Sequence, residues 1–228
     1  VHLFSSYYNS GRAAKFDCTT TESHIMDFNT ISKFLDGTDA ILINMVSGSD
    51  ITLNTLQTLR QTFTGFMYID IHNLIMKTNE DGTREQTTVE NWRQWCSNTN
   101  MVQMNEYEVK SLSRLKKTEY EVIEEIMIML KNNLEGVVIT KGINGVSGYK
   151  KKEKRFGNEK FFDLDKHDIR AIENPKFKDS TGCGDVFAAS FIYEYTKKKD
   201  FIKSLYFANK ISSRKTSFEG IDELFKLK

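Results

Sequence analysis

The strongest constraint on the fold is a series of short, continuous apolar runs that alternate with segments of helical periodicity. The clearest runs are residues 40–46 (AILINMV) and residues 136–140 (GVVIT). An unbroken apolar strand is typical of a parallel sheet, where both faces of the strand are buried. Residues 52–63 and 118–130 carry apolar side chains at helical spacing. The alternation predicts right-handed crossovers, a mostly parallel sheet and ligand binding at the carboxyl ends of its strands.

The other segments fit the same α/β pattern. Residues 1–18 are predicted to form a β-hairpin around Asn9-Ser10-Gly11. Further strands are predicted over residues 65–71, 101–104 and 146–150, and helices over residues 28–35, 89–96, 184–195 and 201–216. We therefore expect a hairpin unit in residues 1–20 and one α/β domain over residues 21–228.

Composition and charge exclude several classes of protein. With 32 basic and 31 acidic residues the net charge is +1, which argues against a nucleic-acid-binding protein. The local basic run at residues 150–155 (KKKEKR) is interpreted as a solvated hairpin tip. No apolar run approaches the ~20 residues of a membrane span. We therefore expect no membrane partner. The three cysteines match no zinc pattern, so we expect a cytoplasmic protein with reduced thiols.

The segment DSTGCGD, residues 179–185, precedes a strongly apolar predicted helix and has more glycines and carboxylates than a capped turn needs. Gly182 and Gly184 stand at the predicted helix N-terminus, where free N–H groups and the helix dipole favour an anion such as phosphate. Asp185, in the same turn, is unfavourable for simple anion binding. It suits a base that accepts the proton of a hydroxyl attacking a bound phosphate. Asp179 can fix the loop or help to hold a cation, and a plain capped helix is the structural alternative.

The ordered set of motifs resembles the ribokinase-like, PfkB-type carbohydrate kinases. DSTGCGD is similar to the family's C-terminal signature, with Cys183 in place of the usual alanine. Other landmarks follow in the expected order: YID at 68–70, Asn-x-x-Glu at 105–108, Thr-x-Gly-x-x-Gly at 140–145, and the last helix and glycine turn at 208–220. The resemblance runs from about residue 40 to the end. It implies a three-layer ribokinase-like fold and a remnant of a small β lid in residues 1–20.

The same resemblance implies site residues and cofactors. Asp185 would be the general base, and the amides of Gly182, Cys183 and Gly184 would form the anion hole. The resemblance places ATP, Mg²⁺ and a monovalent cation such as K⁺ among Asn105, Glu108, Thr140, Gly142, Asp179, Thr181 and Asn209. Of these, Glu108 and Asn105 would organise Mg²⁺. The nucleotide would be bound by Thr140, Gly142 and Asn209. The monovalent cation would be held by Asp179 and Thr181. The acceptor would be a small sugar, nucleoside or related metabolite, and relatives form homodimers through the lid.

Simpler roles remain for several of these residues. Glu108 can be a solvated residue near a helix start, Asn209 a surface helix residue, Lys141 a solvent-facing lysine and Asp70 a cap. The pair Trp92 and Trp95 is expected in the core, and His72 in a loop. Near the expected acceptor pocket, a strand ends in polar or small residues that can touch the substrate, namely Asn44, Ser47 and Gly48.

Two functional alternatives also stay open. A nucleotide-binding pseudoenzyme or regulatory protein would bind nucleotide without efficient transfer, although an intact Asp185 argues against it. The second alternative is a kinase of vitamin precursors, because such relatives share a shorter Gly-Thr-Gly-Asp motif. The family's N-terminal segment has no counterpart in this sequence, so we expect either a piece of a longer kinase or a natural truncation.

Overall fold

The computed structural model describes residues 4–9, 12–18, 25–79, 84–112, 118–129, 134–157, 159–221 and 223–227. In chain order the first half contains β1 (Phe4–Asn9), β2 (Arg12–Cys18), α1 (Phe28–Ser32), β3 (Ala40–Asn44), α2 (Leu53–Thr62), β4 (Phe66–Asp70), β5 (Met76–Thr78), β6 (Arg84–Gln86) and α3 (Trp92–Ser97). The second half contains β7 (Met101–Asn105), α4 (Glu106–Leu112), α5 (Glu119–Glu124), β8 (Gly136–Thr140), β9 (Val146–Phe156), β10 (Glu159–Ile169), α6 (Cys183–Lys198) and α7 (Phe201–Lys215). Short 3₁₀ turns cover His72–Ile75, Gly142–Asn144 and Leu224–Lys226.

The centre of the fold is a six-stranded sheet in the order β10-β9-β8-β7-β4-β3. The four strands β3, β4, β7 and β8 are parallel, whereas β9 and β10 form an antiparallel edge. The prediction of a mostly parallel sheet is confirmed. Strand β10 was not predicted, because most of its side chains are exposed and it lacks the apolar signal of a buried strand.

Helices cover both faces of the sheet, and the alternation of side chains in β4 shows why. Phe66 and Tyr68 point into one apolar cluster, and Met67 and Ile69 point into the other. Helices α6 and α7 contribute to the first cluster, through Phe187, Phe191, Leu205 and Ala208. Helices α2, α3 and α5 contribute to the second, through Leu56, Leu59, Trp92, Trp95, Val122 and Ile123. The result is the expected three-layer α/β/α arrangement, with the two tryptophans in the core.

The peripheral elements agree with the sequence in part. Strands β1 and β2 form an antiparallel hairpin that is separate from the main sheet; the predicted turn residues Ser10 and Gly11 lie outside the described residues. The basic run at 150–155 lies along β9 rather than at the hairpin tip, because β9 continues to Phe156 and pairs with β10 along its whole length. Lys154 pairs with Asp163 across these strands. None of the described helices combines the length and apolar character needed to cross a membrane.

The helix predicted over residues 118–130 begins as the sequence indicates and ends differently. Thr118 and Glu121 form the reciprocal capping box at its start. The α-helical part ends at Glu124 and continues as a π-helical turn over Glu125–Met129. Leu130, which was assigned to the same apolar face, lies outside the described residues.

Candidate active site

The carboxyl ends of the four parallel strands lie side by side, and each strand ends in a polar residue. These residues are Asn44, Asp70, Asn105 and Thr140. The strand register pairs Asn44 with Asp70, and Asn105 with Thr140. A parallel sheet brings its carboxyl ends to a common edge, so residues from distant parts of the chain converge there.

The N-terminus of α6 begins with a left-handed glycine. Gly182 is the N-cap residue with φ of 75°, and a Cβ at this position would lie 3.1 Å from Cγ2 of Ile221. Glycine suits this position because it accepts the left-handed conformation without steric cost. Of the predicted anion-hole amides, that of Cys183 donates to the carbonyl oxygen of Ser180 at 3.0 Å. Gly184 and Asp185 also lie in the first helical turn, where N–H groups and the dipole favour an anion.

The carboxylate of Asp185 is held by the end of β3. The Nδ2 atom of Asn44 donates a hydrogen bond to Oδ1 of Asp185. The Oδ1 atom of Asn44 is buried without a hydrogen-bond partner. The amide orientation is therefore set by Asp185, because the reversed amide would place an oxygen against a carboxylate. The sequence suggested that Asn44 can touch the substrate. In the structure Asn44 contacts the candidate base, Asp185.

A side chain that the sequence analysis did not select, Gln103, connects the sheet to the helix. The hydroxyl of Tyr68 donates to Oε1 of Gln103 at 2.8 Å, which fixes the orientation of the amide. Nε2 then donates to Oδ2 of Asp70 at 2.7 Å and to the carbonyl oxygen of Gly184 at 3.2 Å. Gln103 is buried, so these contacts replace water that it would otherwise bind. The network positions the first turn of α6 against β4 and β7.

Two buried carboxyl groups lie near the strand ends, and each has a neighbouring carboxylate: Asp185 acts on Asp70, and Asp70 acts on Glu108. Burial, together with the nearby charge of Asp185, raises the pKa of Asp70 to about 7. Burial likewise raises the pKa of Glu108 to about 8, and the charge of Asp70 adds to the effect. Desolvation and like charges both disfavour ionisation. Asp70 and Glu108 are therefore harder to ionise than carboxyl groups in water.

Glu108 is buried rather than solvated, because it forms a reciprocal cap with Asn105. The backbone N–H and Nδ2 of Asn105 donate to the Glu108 carboxylate at 2.7 and 2.6 Å. Oδ1 of Asn105 accepts the amides of Tyr107 and Glu108 at 2.8 and 2.9 Å. The Asn-x-x-Glu spacing thus begins helix α4 and places a carboxyl group beside the strand ends, with 6% of Glu108 exposed.

Asp179 and Thr181 form a compact turn beside the loop that follows α7. Oδ1 of Asp179 accepts both the amide and the hydroxyl of Thr181, at 2.9 and 2.8 Å, and Oδ2 accepts the amide of Gly220 at 2.9 Å. The hydrogen bond from the Thr181 amide is the main reason that the pKa of Asp179 falls to about 2. The ammonium group of Lys215 lies 3.5 Å from the same carboxylate. Asp179 is thus an ionised anchor of the turn.

The residues expected at the nucleotide are more dispersed. Thr140 ends β8, and its hydroxyl lies 3.4 Å from the carbonyl oxygen of Met104. Gly142 has φ of 53°, and a Cβ there would meet no atom within 4 Å, so the space beside it is open. Asn209 is buried rather than on the surface, and its Nδ2 donates to the carbonyl oxygen of Arg170 at 2.8 Å. Lys141 is not solvent-facing, since it forms an ion pair with Glu119 at 3.0 Å.

Within the described residues, no group of three or more His, Cys, Asp or Glu side chains is arranged to hold a metal ion. A divalent cation at the strand ends would therefore have at most two carboxylate ligands and would need water or phosphate oxygens as well. Mg²⁺ is commonly bound in this way in phosphoryl-transfer enzymes. Asp70 and Glu108 could supply these two ligands through the lone pairs that Gln103 and Asn105 leave free. Asp179 differs, because Lys215 already places a positive charge beside its carboxylate.

The profile of the pfkB family carbohydrate kinases matches residues 70–223, which is more than half of the chain. The chain belongs to this family. The match begins at Asp70, the last residue of β4, and includes the Asn105–Glu108 cap, the Thr140 strand end and the turn before α6. The family assignment from the ordered motifs is confirmed. No curated protein matches the chain at a significant level.

Solved structures support a ribokinase-like fold for this PfkB protein. A pyrophosphate-dependent kinase of the ribokinase family aligns with a TM-score of 0.71 and 15% identity, over 96% of this chain and 70% of that one. A putative ribokinase II from E. coli, in complex with ATP and Mg²⁺, gives 0.67 and 18%, over 98% and 69%. Ribokinase from Thermotoga maritima gives 0.59 and 16%, over 89% and 59%. The chain thus spans 59 to 70% of the length of these three proteins.

Two residues of the candidate site were missed from sequence for different reasons. Gln103 carried a weak signal, because a polar side chain within the apolar strand MVQMN is unusual and calls for a buried partner. Lys215 carried none, because a lysine in the last turn of a helix is ordinary and is usually explained by the helix dipole. Asp70, at first a possible cap, is one of the two buried carboxyl groups near the strand ends.

Proposed function

We propose that this PfkB protein transfers the γ-phosphoryl group of ATP to a hydroxyl group of a small sugar, nucleoside or related metabolite. The observation that carries the proposal is the position of Asp185. Its carboxylate lies in the first turn of a 16-residue helix, at the carboxyl edge of the parallel sheet, and Asn44 holds it there. A base and an anion-binding helix N-terminus therefore share one turn, which is the combination that hydroxyl phosphorylation needs.

In this proposal Asp185 accepts the proton of the acceptor hydroxyl as the oxygen attacks phosphorus. The bond from phosphorus to the donor's bridging oxygen breaks, and the negative charge passes to the leaving diphosphate. The amides of the 182–185 turn stabilise charge on the transferring group, and such preorganised donors contribute a few kcal/mol each. Because the Cys183 amide already donates to Ser180, the amides of Gly182, Gly184 and Asp185 are the stronger candidates.

The proposed divalent cofactor is Mg²⁺. Glu108, held by Asn105, would organise the ion, and the nearby carboxyl group of Asp70 would add negative charge when it ionises. When bound, the ion would neutralise charge on the donor phosphates. Glu108 is pre-oriented by its two hydrogen bonds from Asn105, so little ordering cost remains when a cation and its water molecules arrive. Both buried carboxyl groups would ionise more readily beside the ion, since an opposite charge lowers a carboxyl pKa.

The donor is proposed to lie along the 140–145 loop. Support comes from the open space beside Gly142 and from the exposed Ile143 next to it. Gly145 has φ of 92°, and a Cβ there would lie 2.0 Å from the carbonyl oxygen of Ile169, so glycine is needed to pack this loop on the end of β10. Asn209 would act here by fixing the carbonyl of Arg170 rather than by free hydrogen-bonding groups.

The hairpin of β1 and β2 is proposed to be part of a lid over the acceptor site. It forms a two-stranded sheet of its own, outside the six-stranded sheet, and β2 lies beside β6. In this proposal residues 1–20 form the lid unit and residues 21–228 the nucleotide-binding and catalytic domain. Pairing of two lids would give a homodimer, as expected from the resemblance.

The proposal is tested by donor consumption with the complete gene product. ATP and inorganic pyrophosphate are each supplied with Mg²⁺ and a panel of sugars, nucleosides and polyols, because one structural neighbour is pyrophosphate-dependent. Asp185→Asn is compared with Asp36→Asn, which changes an exposed aspartate in the loop before β3. We expect turnover with at least one acceptor, a loss of about 10³-fold or more in Asp185→Asn and no loss in the control.

Two results would contradict the proposal. Retained donor binding with no turnover for any acceptor would favour the nucleotide-binding pseudoenzyme. Turnover that survives Asp185→Asn within tenfold would remove Asp185 as the base. Equal donor affinity in Asp185→Asn and the wild type, measured by calorimetry, would show that a lost rate reflects proton transfer rather than lost binding.

A further inference from the structure

Lys215, in the last turn of α7, is completely buried. Its side chain has 0% of its surface exposed. Fully buried lysines are rare unless their charge is paired, because an isolated ammonium group is costly to remove from water. Its Nζ atom lies 3.3 Å from the backbone oxygen of Asp179, 3.5 Å from that of Phe218 and 3.5 Å from Oδ2 of Asp179. Three oxygens from two chain segments thus surround one positive charge.

The two segments are joined by further hydrogen bonds on either side of the ammonium group. The amides of Lys178 and Asp179 both donate to the carbonyl oxygen of Thr216, at 2.7 and 3.2 Å. The amide of Gly220 donates to the Asp179 carboxylate at 2.9 Å. Hydrogen bonds therefore join residues 216–220, after α7, to residues 178–179, before α6. The ammonium group of Lys215 lies between these two segments.

The oxygens around Lys215 are of the kind that bind a hard cation. Backbone carbonyls and one carboxylate are typical ligands of such ions. The sequence resemblance placed a monovalent cation at Asp179 and Thr181, but the donor set does not fit an additional ion. The Asp179 carboxylate is already shared between Thr181, Gly220 and Lys215, and a second positive charge beside the ammonium group would be repelled.

We propose that the ammonium group of Lys215 takes the place of a monovalent cation beside Asp179 and holds the 179–185 turn in its anion-binding form. Lys215 is thus a positioning residue, and donor binding and turnover do not depend on added K⁺. The inference rests on the proposed function only in assuming that this turn binds the donor phosphates.

The charge of Lys215 also reaches the anion-binding turn itself. Burial raises the pKa of the Cys183 thiol, whereas the charge of Lys215 opposes this effect. Cys183 is the first residue of α6, and its carbonyl oxygen accepts the hydroxyl of Ser212 from α7 at 2.9 Å. The positive field of Lys215 therefore adds to that of the helix N-terminus, where the donor phosphates are expected.

The first test compares the complete wild-type protein in KCl and in tetramethylammonium chloride at equal ionic strength. Affinity for ATP and for inorganic pyrophosphate, with Mg²⁺, is measured together with the unfolding temperature. We expect donor affinities that agree within twofold and unfolding temperatures that do not differ. A K⁺-selective increase of tenfold or more in donor affinity, or a K⁺-selective rise in unfolding temperature, would overturn the inference.

The second test uses Lys215→Met, with Lys210→Met as the matched control on the exposed face of the same helix. In tetramethylammonium chloride we expect Lys215→Met to lose at least tenfold in donor affinity, and K⁺ or NH₄⁺ to restore a substantial part of it. Lys210→Met should match the wild type in every salt. A loss that no small cation restores would show that Lys215 is only structural and would overturn the inference.

The two proposals can fail separately. If Lys215→Met does not fold, the comparison of the wild type in the two salts still tests whether donor binding depends on K⁺. If no acceptor is phosphorylated, the donor affinities and unfolding temperatures still test the role of Lys215. Turnover that requires K⁺ in the wild type would refute this inference and leave the kinase assignment intact.

Discussion

The side-chain amide of Asn44 donates a hydrogen bond to the carboxylate of Asp185, although 141 residues separate the two in sequence. Asn44 ends the edge strand β3, and Asp185 lies in the first turn of α6. Among the described residues this is the one side-chain hydrogen bond to Asp185, whose side chain is otherwise exposed. The contact orients the proposed base, whose side chain remains accessible to solvent.

Replacing Asn44 by alanine is expected to lower turnover without weakening donor binding. A hydrogen bond to a charged group contributes about 1.5–3 kcal/mol, which corresponds to about a 10- to 100-fold lower kcat if the orientation is needed only for proton transfer. Steady-state kinetics with the acceptor identified in the panel measures the effect. The matched control is Asn54→Ala, an exposed asparagine in α2. A change confined to KM would show that Asn44 binds substrate rather than orienting Asp185.

The buried carboxyl groups predict a loss of stability as pH rises in the absence of Mg²⁺. The pKa of Asp70 is raised from 3.8 to about 7 and that of Glu108 from 4.5 to about 8. Below about pH 3 both groups are protonated in the folded and unfolded states, and their stabilising contribution is complete. Between pH 4 and 8 the unfolded chain releases protons that the folded protein keeps, so the free energy of unfolding falls. The Asp70 contribution is about 4 kcal/mol at most.

Urea unfolding between pH 4.5 and 8.5 measures this dependence. Asp70→Asn should flatten the profile, because its amide has no proton to release, and Asp36→Asn should leave it unchanged. Addition of Mg²⁺ at pH 8 should stabilise the wild type more than Asp70→Asn. Parallel pH profiles for the wild type and Asp70→Asn would contradict the proposed burial of a protonated carboxyl group.

Alanine at Gly182 is expected to reduce stability and donor affinity together. The left-handed conformation at φ of 75° costs a non-glycine residue about 1–2 kcal/mol, and the new Cβ would also press on Ile221 at 3.1 Å. Gly37→Ala is the matched control, because φ there is 67° and a Cβ would meet no atom within 4 Å. Both variants should lose stability in thermal unfolding, but only Gly182→Ala should lose donor affinity in calorimetry.

Glu108→Gln tests the proposed Mg²⁺ site. Glutamine keeps the shape and one acceptor oxygen but loses the charge. One of the two donors of Asn105 therefore loses its acceptor, at a cost of about 1–3 kcal/mol. We expect the Mg²⁺ concentration for half-maximal turnover to rise about tenfold or more, as the loss of a charged ligand implies. The neighbouring Glu106→Gln, in the same helical turn, should leave it unchanged. Equal Mg²⁺ dependence in both variants would exclude Glu108 from the site.

Interactions that are local in sequence were predictable. The Asn105–Glu108 cap joins residues three apart, and the Asp179–Thr181 turn joins residues two apart. In the same way, the unbroken apolar run of GVVIT is buried on both faces in β8, as a parallel strand requires. Local hydrogen bonds and periodicity depend on nearby residue types and on backbone geometry alone, so they can be inferred before the fold is known.

Burial and long-range pairing were decided by the tertiary structure. Gln103 contacts Gly184 across 81 residues, and Lys215 contacts Asp179 across 36. Glu108 and Asn209 both had exposed alternatives from sequence, but both are buried, Glu108 against Asn105 and Asn209 against the backbone of Arg170. A side chain's pKa and partner depend on what surrounds it in space, and the surrounding residues come from distant parts of the chain.

The amino-acid sequence by itself determined the α/β class, the order of the motifs and the residue types of the 179–185 turn, from which its chemistry is proposed. Only the tertiary structure decided which side chains orient that chemistry. It brought Asn44 to Asp185, Gln103 between Asp70 and Gly184, and Lys215 beside Asp179. The physical reason is that apolar patterning specifies which faces must be buried, whereas the partners of a polar group follow from how the strands and helices meet.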